Sequence, residues 1–149
     1  KGPDLFCDAV EKMSLVRSKK GDRLCVLLAG WRRQYVMSRL QKAEIPYYYC
    51  EMPSFEVLNE LYNCLDLYIV ASRYEGGPQS IMECGLIKVP IISTDVGIAS
   101  QILNKSSIFD EKILDAKPDI NHAYKMAKEF TLPNGIKKFE KMFEEIHEN

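Results

Sequence analysis

Long apolar runs are missing from this chain. The longest, at 24–30, is strand-sized and falls far short of the roughly 18 residues that a membrane-spanning helix needs. An excess of charge of either sign is missing too: 20 Lys and Arg stand against 21 Asp and Glu, a formal net charge of -1. That balance lacks the electrostatic footprint of a protein that grips nucleic acid through its phosphates, so no nucleic-acid partner is expected. The chain opens Lys1-Gly2-Pro3-Asp4 with no charged-then-apolar leader, and the expected compartment is the cytoplasm. The five cysteines, at 7, 25, 50, 64 and 84, are odd in number and show no paired spacing. They sit in apolar segments, which predicts reduced, buried thiols rather than a disulfide framework. No internal repeat or low-complexity tract is present.

What remains is an ordinary globular composition. A chain of 149 residues with 46% hydrophobic content has the length of one domain and enough apolar material for one core. Helix-spaced apolar residues Leu5, Phe6, Ala9, Val10 and Met13 lead through a Gly21-Asp22 turn into the apolar run 24–29, which reads as a buried strand. Helices are then expected at 33–42, 55–63 (opened by Ser54), 78–86 and 98–103, alternating with strands at 47–50, 67–71, 89–93 and near Ile108. Two closing helices carry apolar stripes, Ile120 to Phe130 and Ile136 to Ile146, joined at Pro133-Asn134-Gly135. Strands that are apolar throughout and separated by helices predict an α/β fold, a Rossmann-like doubly wound parallel sheet flanked by helices. Such sheets bind ligands beyond the carboxyl ends of their strands, which directs attention to 30–32, 51–54, 72–79 and 94–98.

The segment 72–83, Ser-Arg-Tyr-Glu-Gly-Gly-Pro-Gln-Ser-Ile-Met-Glu, carries the most chemistry. Gly76 and Gly77 lack a Cβ and let a ligand approach the main chain. Pro78 suits the first helical position, and the N–H groups of Gln79, Ser80 and Ile81 would then face the crevice, where the helix N-terminus favours an anion such as phosphate. Two glutamate pairs are spaced eight apart, Glu75 with Glu83 and Glu140 with Glu148. The second pair reads as a solvated helix face. The first flanks the glycine turn.

The stretch "LDLYIVASRYEGGPQSIMECGLIKVPIISTDVG" resembles the signature of retaining glycosyltransferases of the GT-B fold, in particular the large family-four group with its Glu-x7-Glu motif. "KGPDLFCDAVEKM", "RLCVLLAG" and "YYYCEMPSFEVLNELYNCLDLYIVAS" are similar to earlier parts of that family's C-terminal domain, so the resemblance runs from Lys1 to about Leu103. It implies that 1–149 is the nucleotide-sugar (donor) binding domain, and that the acceptor half is a separate N-terminal domain of the same or another chain. It implies that Glu83 accepts hydrogen bonds from a ribose diol, that Glu75 lies against the donor hexose, and that Gly76, Gly77, Gln79 and Ser80, beside Pro78, meet the hexose and diphosphate. Lys1 matches a lysine that neutralises the leaving diphosphate, and Met52 falls where the family holds the nucleobase. The resemblance implies no metal and no cofactor beyond the nucleotide-diphosphate sugar itself. The sequence agrees, since His122 and His147 stand alone, both expected at the surface, and no Asp-x-Asp motif is present.

Several positions depart from the family pattern. Lys88 stands where a glycine is usual, Ile98 follows Gly97 in place of a second glycine, and Gln101 replaces a common glutamate. These bear on the sugar pocket more than on donor binding. The family's central first strand and the arginine after it would precede Lys1, so three alternatives are expected: the chain is a fragment of a longer protein, the strand comes from elsewhere, or the sheet closes around its gap. The activity expected is transfer of a hexose from a nucleotide-diphosphate sugar (UDP or GDP) to a glycan, lipid or other acceptor, with the isolated domain inactive. Membrane contact would be peripheral, through the other domain. Two alternatives belong to other classes: a non-catalytic nucleotide-sugar binding module, and one subunit of a split transferase. Trp31, Arg32 and Arg33 are secondary candidates for ligand contact.

Overall fold

The computed structural model describes residues 1–110 and 112–147. Helix α1 (Pro3–Ser18) begins on Pro3, whose missing N–H costs nothing in a first turn, with Asp4 beside it as an acid at the positive end of the helix. It buries Cys7, Ala9 and Val10. Strand β1 (Val26–Ala29) follows, then α2 (Gln34–Lys42), β2 (Tyr47–Cys50), α3 (Phe55–Asn63), β3 (Tyr68–Val70), α4 (Gln79–Leu86), β4 (Ile91–Ser93) and α5 (Ala99–Ile102). Short 3-10 turns at Lys105–Ser107 and Ile113–Asp115 lead to α6 (Ile120–Lys128) and α7 (Asn134–His147). Ser54 caps α3 by accepting the Val57 N–H at 3.3 Å, and Asp119 caps α6 by accepting that of His122 at 3.0 Å.

The strands pair in parallel, as their uniform apolarity requires, but in two sheets rather than one. β1 pairs with β2, Val26 opposite Tyr47 and Ala29 opposite Cys50, while β3 pairs with β4, Tyr68 opposite Ile91 and Val70 opposite Ser93. The strand expected near Ile108 is a single parallel bridge to Ser93. Three apolar clusters fill the interior: one around Ile81, Cys84, Ile91, Ile102 and Ala127, one around Cys7, Val10, Val26, Leu28 and Leu40, and a smaller one around Ala9, Ala71, Ile92 and Phe109. Phe6 on α1 and Ile69 on β3 pack against both of the last two clusters. The sheets therefore meet through side chains, and the edges of β1 and β3 turned away from β2 and β4 pair with no other strand among the described residues. The alternative of a sheet closed around the gap is not what forms.

Other expectations need correction. Only Cys7 and Cys84 are buried, and burial pushes both thiols up, Cys84 to about 12. Cys25 and Cys64 are exposed because one precedes β1 and the other is the C-cap of α3, outside the packed faces. His122 is half-buried rather than at the surface, on the same helix as buried Ala123. Tyr48, within a strand expected to be apolar and covered on both faces, instead faces solvent in β2, since alternate residues of a strand point to opposite faces. Glu140 is exposed, as a solvated face requires, while Glu148 lies outside the described residues.

The stripe on α7 is amphipathic but unburied: Ile136, Phe139, Met142, Phe143 and Ile146 are each between 43% and 65% exposed. Replacing Phe139 by Glu together with Phe143 by Lys should therefore shift stability by no more than about 0.5 kcal/mol, the range of ordinary surface changes. Thermal melting followed by circular dichroism reads this directly. A drop of many degrees would show that the stripe belongs to the core.

Candidate donor-binding crevice

Strand β3 ends at buried Val70, and the chain turns through 71–78 before α4 starts on Gln79. Pro78 is the N-cap of that helix, with φ -66° and ψ 107°, rather than its first residue. The correction matters for the amides. The Ile81 N–H donates to the Pro78 carbonyl at 3.0 Å and is spent within the turn. No side chain caps this terminus, so the anion-attracting groups are the N–H groups of Gln79 and Ser80 rather than three.

The turn is braced from two sides. Thr94, just past β4, donates through Oγ1 to the Ser72 carbonyl at 2.6 Å, and Ser72 donates through Oγ to Glu75 Oε1 at 2.9 Å. From the start of α1, the Lys1 ammonium pairs with the same Glu75 oxygen, and Asp4 accepts both guanidinium nitrogens of Arg73. The N-terminus of α1 and the post-β3 turn thus form one surface, with Gly2 set against the Ala71 carbonyl so closely that any Cβ there would overlap it. Gly97, at a φ of +54°, closes the far wall so tightly that an added Cβ would overlap the carbonyls of Glu75 and Gly76. Arg73, Tyr74, Glu75, Gly76 and the 95–97 loop line the resulting open depression.

Electrostatics follow from these contacts. The Lys1 hydrogen bond holds the Glu75 carboxyl below its ordinary value, with burial opposing and Ser72 assisting. The Arg73 fork holds Asp4 well below the usual carboxylate range. Groups held low in this way favour the folded state above the ordinary carboxylate pKa, near 4, and lose that contribution as pH falls through their folded values. Removing the ammonium with Lys1→Ala should raise the Glu75 midpoint toward the ordinary range. Carbon-detected NMR titration of the carboxyl measures it, and an unmoved midpoint would mean that the pair does not form in solution.

Glu83 is an exposed residue of α4, and its Oε2 accepts the Tyr62 hydroxyl at 2.8 Å. Gly76 and Gly77 are exposed in the turn, and Ser80 is half-buried at the start of the helix. Met52 lies apart, in the turn after β2 and 72% exposed, on the other sheet from Glu75. Trp31 is 63% exposed beyond β1, Arg32 has a left-handed φ of 60°, and Arg33 donates to the Ala29 carbonyl at 2.9 Å, which is a structural use of that side chain. Lys88, at the glycine-favouring position, has φ 61° and places its ammonium 4.6 Å from the Tyr124 ring centroid. Among the described residues no cluster of three or more His, Cys, Asp or Glu is arranged to hold a metal ion, and no helix is long and apolar enough to cross a membrane.

Parallel strands flanked by helices, with a glycine turn and an uncapped helix terminus past their carboxyl ends, define a Rossmann-like domain of the kind that makes half of a GT-B enzyme. The family model of glycosyl transferases group 1 matches residues 1–127, and the chain belongs to that family. Its structure is also similar to a chain in the crystal structure of a GtfA/B complex, with a TM-score of 0.70 and 17% identity, a likeness of fold. The match covers 100% of this chain and 34% of that one, so the chain spans about a third of the length of its structural relative. No curated protein matches the sequence.

Proposed function

We propose that this chain is the donor-binding domain of a retaining glycosyltransferase, moving a hexose from a nucleotide-diphosphate sugar to an acceptor held by a further domain. The observation that carries the reading is the uncapped α4 terminus behind Gly76 and Gly77, beside the Lys1–Glu75 pair, with Glu83 exposed on the same helix. As the glycosidic bond breaks, negative charge grows on the departing diphosphate. The Gln79 and Ser80 amides and the Lys1 ammonium are the groups that would meet it, favouring the transition state over the ground state. A diphosphate in the turn competes with Glu75 for Lys1, which frees the Glu75 carboxylate to accept from hexose hydroxyls. Glu83 takes the ribose diol, for which a carboxylate has enough acceptor sites.

Two observations favour a further body beside this one: the unpaired inner edges of β1 and β3, and the exposed apolar stripe of α7. In this reading a parallel strand completes the sheet and an acceptor domain closes the crevice, in the cytoplasm and with nucleotide-sugar as the only cofactor-like ligand. Calorimetric titration of the folded protein with UDP and with GDP tests the donor site. Binding of one of them, lost in Gly77→Val and Lys1→Ala, is the expected result. Absence of binding to both at millimolar ligand would remove the donor assignment.

A further inference from the structure

Glu83 does not stand alone. Tyr62, on α3, is 9% exposed and donates its hydroxyl to Glu83 Oε2 at 2.8 Å. The Tyr62 ring is itself held edge-on to Tyr68 of β3, with centroids 5.6 Å apart and planes at 81°. The Tyr68 phenol is pushed up by burial, partly offset by its contact with the Ser80 side chain. The aromatic pair therefore underlies the first turns of α4 and touches two polar side chains of that helix, Ser80 and Glu83.

Three physical points turn this contact into a role. A phenol that is mostly buried must find a partner, and Glu83 supplies it. Burial is also the main reason the Tyr62 proton is held firmly, with Glu83 adding to it, so the hydroxyl remains a donor across the working pH range. A glutamate side chain on an exposed helix face otherwise samples several rotamers, each lost at an entropic cost when a ligand is bound. One hydrogen bond from a rigid ring removes that freedom in advance. It occupies one acceptor site on Oε2, and the carboxylate has about four in all.

We infer that Tyr62 is a positioning residue that fixes the Glu83 carboxylate for a vicinal diol, and thereby sets the preference of the crevice for a ribonucleotide over its deoxy counterpart. The inference rests on the donor-site reading above and adds to it the residue that makes Glu83 selective. A hydrogen bond to a charged group is worth enough to change affinity by about tenfold, which is the size expected for the loss.

The test is a titration of the parent protein, Tyr62→Phe, Glu83→Ala and the double variant with UDP, GDP and their 2′-deoxy analogues, each sample first checked for cooperative thermal unfolding. The parent should prefer the ribonucleotide. Tyr62→Phe should lose most of that preference by weakening the ribo form about tenfold while leaving the deoxy form nearly unchanged, and should add nothing further in the Glu83→Ala background. A purely structural Tyr62 would weaken both forms alike, and that result overturns the inference, as does a full ribo preference in Tyr62→Phe. If Tyr62→Phe does not unfold cooperatively, Tyr62→Met, which also removes the hydroxyl while filling the buried space, takes its place and should lose the same preference; a full ribo preference in it overturns the inference. Failure of the parent to bind any of the nucleotides would instead remove the donor assignment, whereas binding without ribo preference would leave the phosphate turn standing and remove the role of Glu83 and Tyr62 together.

Discussion

Replacing Gly97 by alanine is expected to weaken nucleotide binding at least tenfold while most of the domain stays folded. The residue sits at φ +54°, and an added Cβ would lie 2.5 Å from the Gly76 carbonyl oxygen and 2.9 Å from that of Glu75. Both are backbone atoms, so no side chain can swing aside to make room. A left-handed conformation in a residue with a side chain costs about 1–2 kcal/mol by itself. Relief of the overlap must come from moving the Glu75 and Gly76 carbonyls, which belong to the turn of the proposed cradle. The variant should show an affinity loss of at least tenfold for UDP or GDP, with a melting temperature lowered by only several degrees. Calorimetry beside a thermal melt separates the two effects. Unchanged binding would show that the 95–97 loop is not the wall of the site.

The largest effect on stability is expected from Ile81→Ala. Ile81 is fully buried on α4, in the cluster that joins β3, β4, α5 and α6, and it follows directly on Ser80. Truncating a fully buried isoleucine costs about 2–5 kcal/mol, made up of lost transfer energy and an unfilled cavity. For a domain of this size each kcal/mol lowers the melting temperature by roughly 2–4 °C. The same change loosens the seat of α4, so the Gln79 and Ser80 amides and Glu83 lose their fixed relation to the turn. Chemical denaturation measures the first consequence and nucleotide affinity the second. A loss below about 1 kcal/mol would mean that α4 is held mainly by other contacts.

The fold was legible because its strands are apolar on both faces and separated by helix-spaced stripes. The segments 47–50 and 55–63 appear in the structure with the expected bounds, and 24–29, 67–71 and 89–93 shorten by a few residues at their ends. Ile108 reads as a strand from its neighbours but, among the described residues, forms a single bridge to Ser93 directly after the 3-10 turn Lys105–Ser107. The split into two sheets was not legible, because local patterns do not say which strand lies beside which; the resemblance pointed only to a first strand missing before Lys1. The glycine turn, Glu75 and Glu83 announced themselves by spacing. Their supports did not: Ser72, Thr94, Tyr62 and the Arg73 fork on Asp4 act across 3 to 69 positions of sequence, and a hydroxyl or an arginine past a strand has many other uses. The one signal for Ser72 and Thr94 was their place as the polar residues closing two apolar runs. Pro78 illustrates the opposite limit, since its fixed φ suits both the N-cap and the first helical position, and only coordinates distinguish them.

The central claim is that a diphosphate lies in the turn between β3 and α4. Amide NMR of the labelled protein, titrated with UDP and with GDP, tests it most directly. The account predicts that Gly76, Gly77, Gln79 and Ser80 shift first and furthest, saturating together, while the Ile81 amide, already bonded to Pro78, moves little. Shifts confined to another face of the domain, or none at saturating nucleotide, would contradict it.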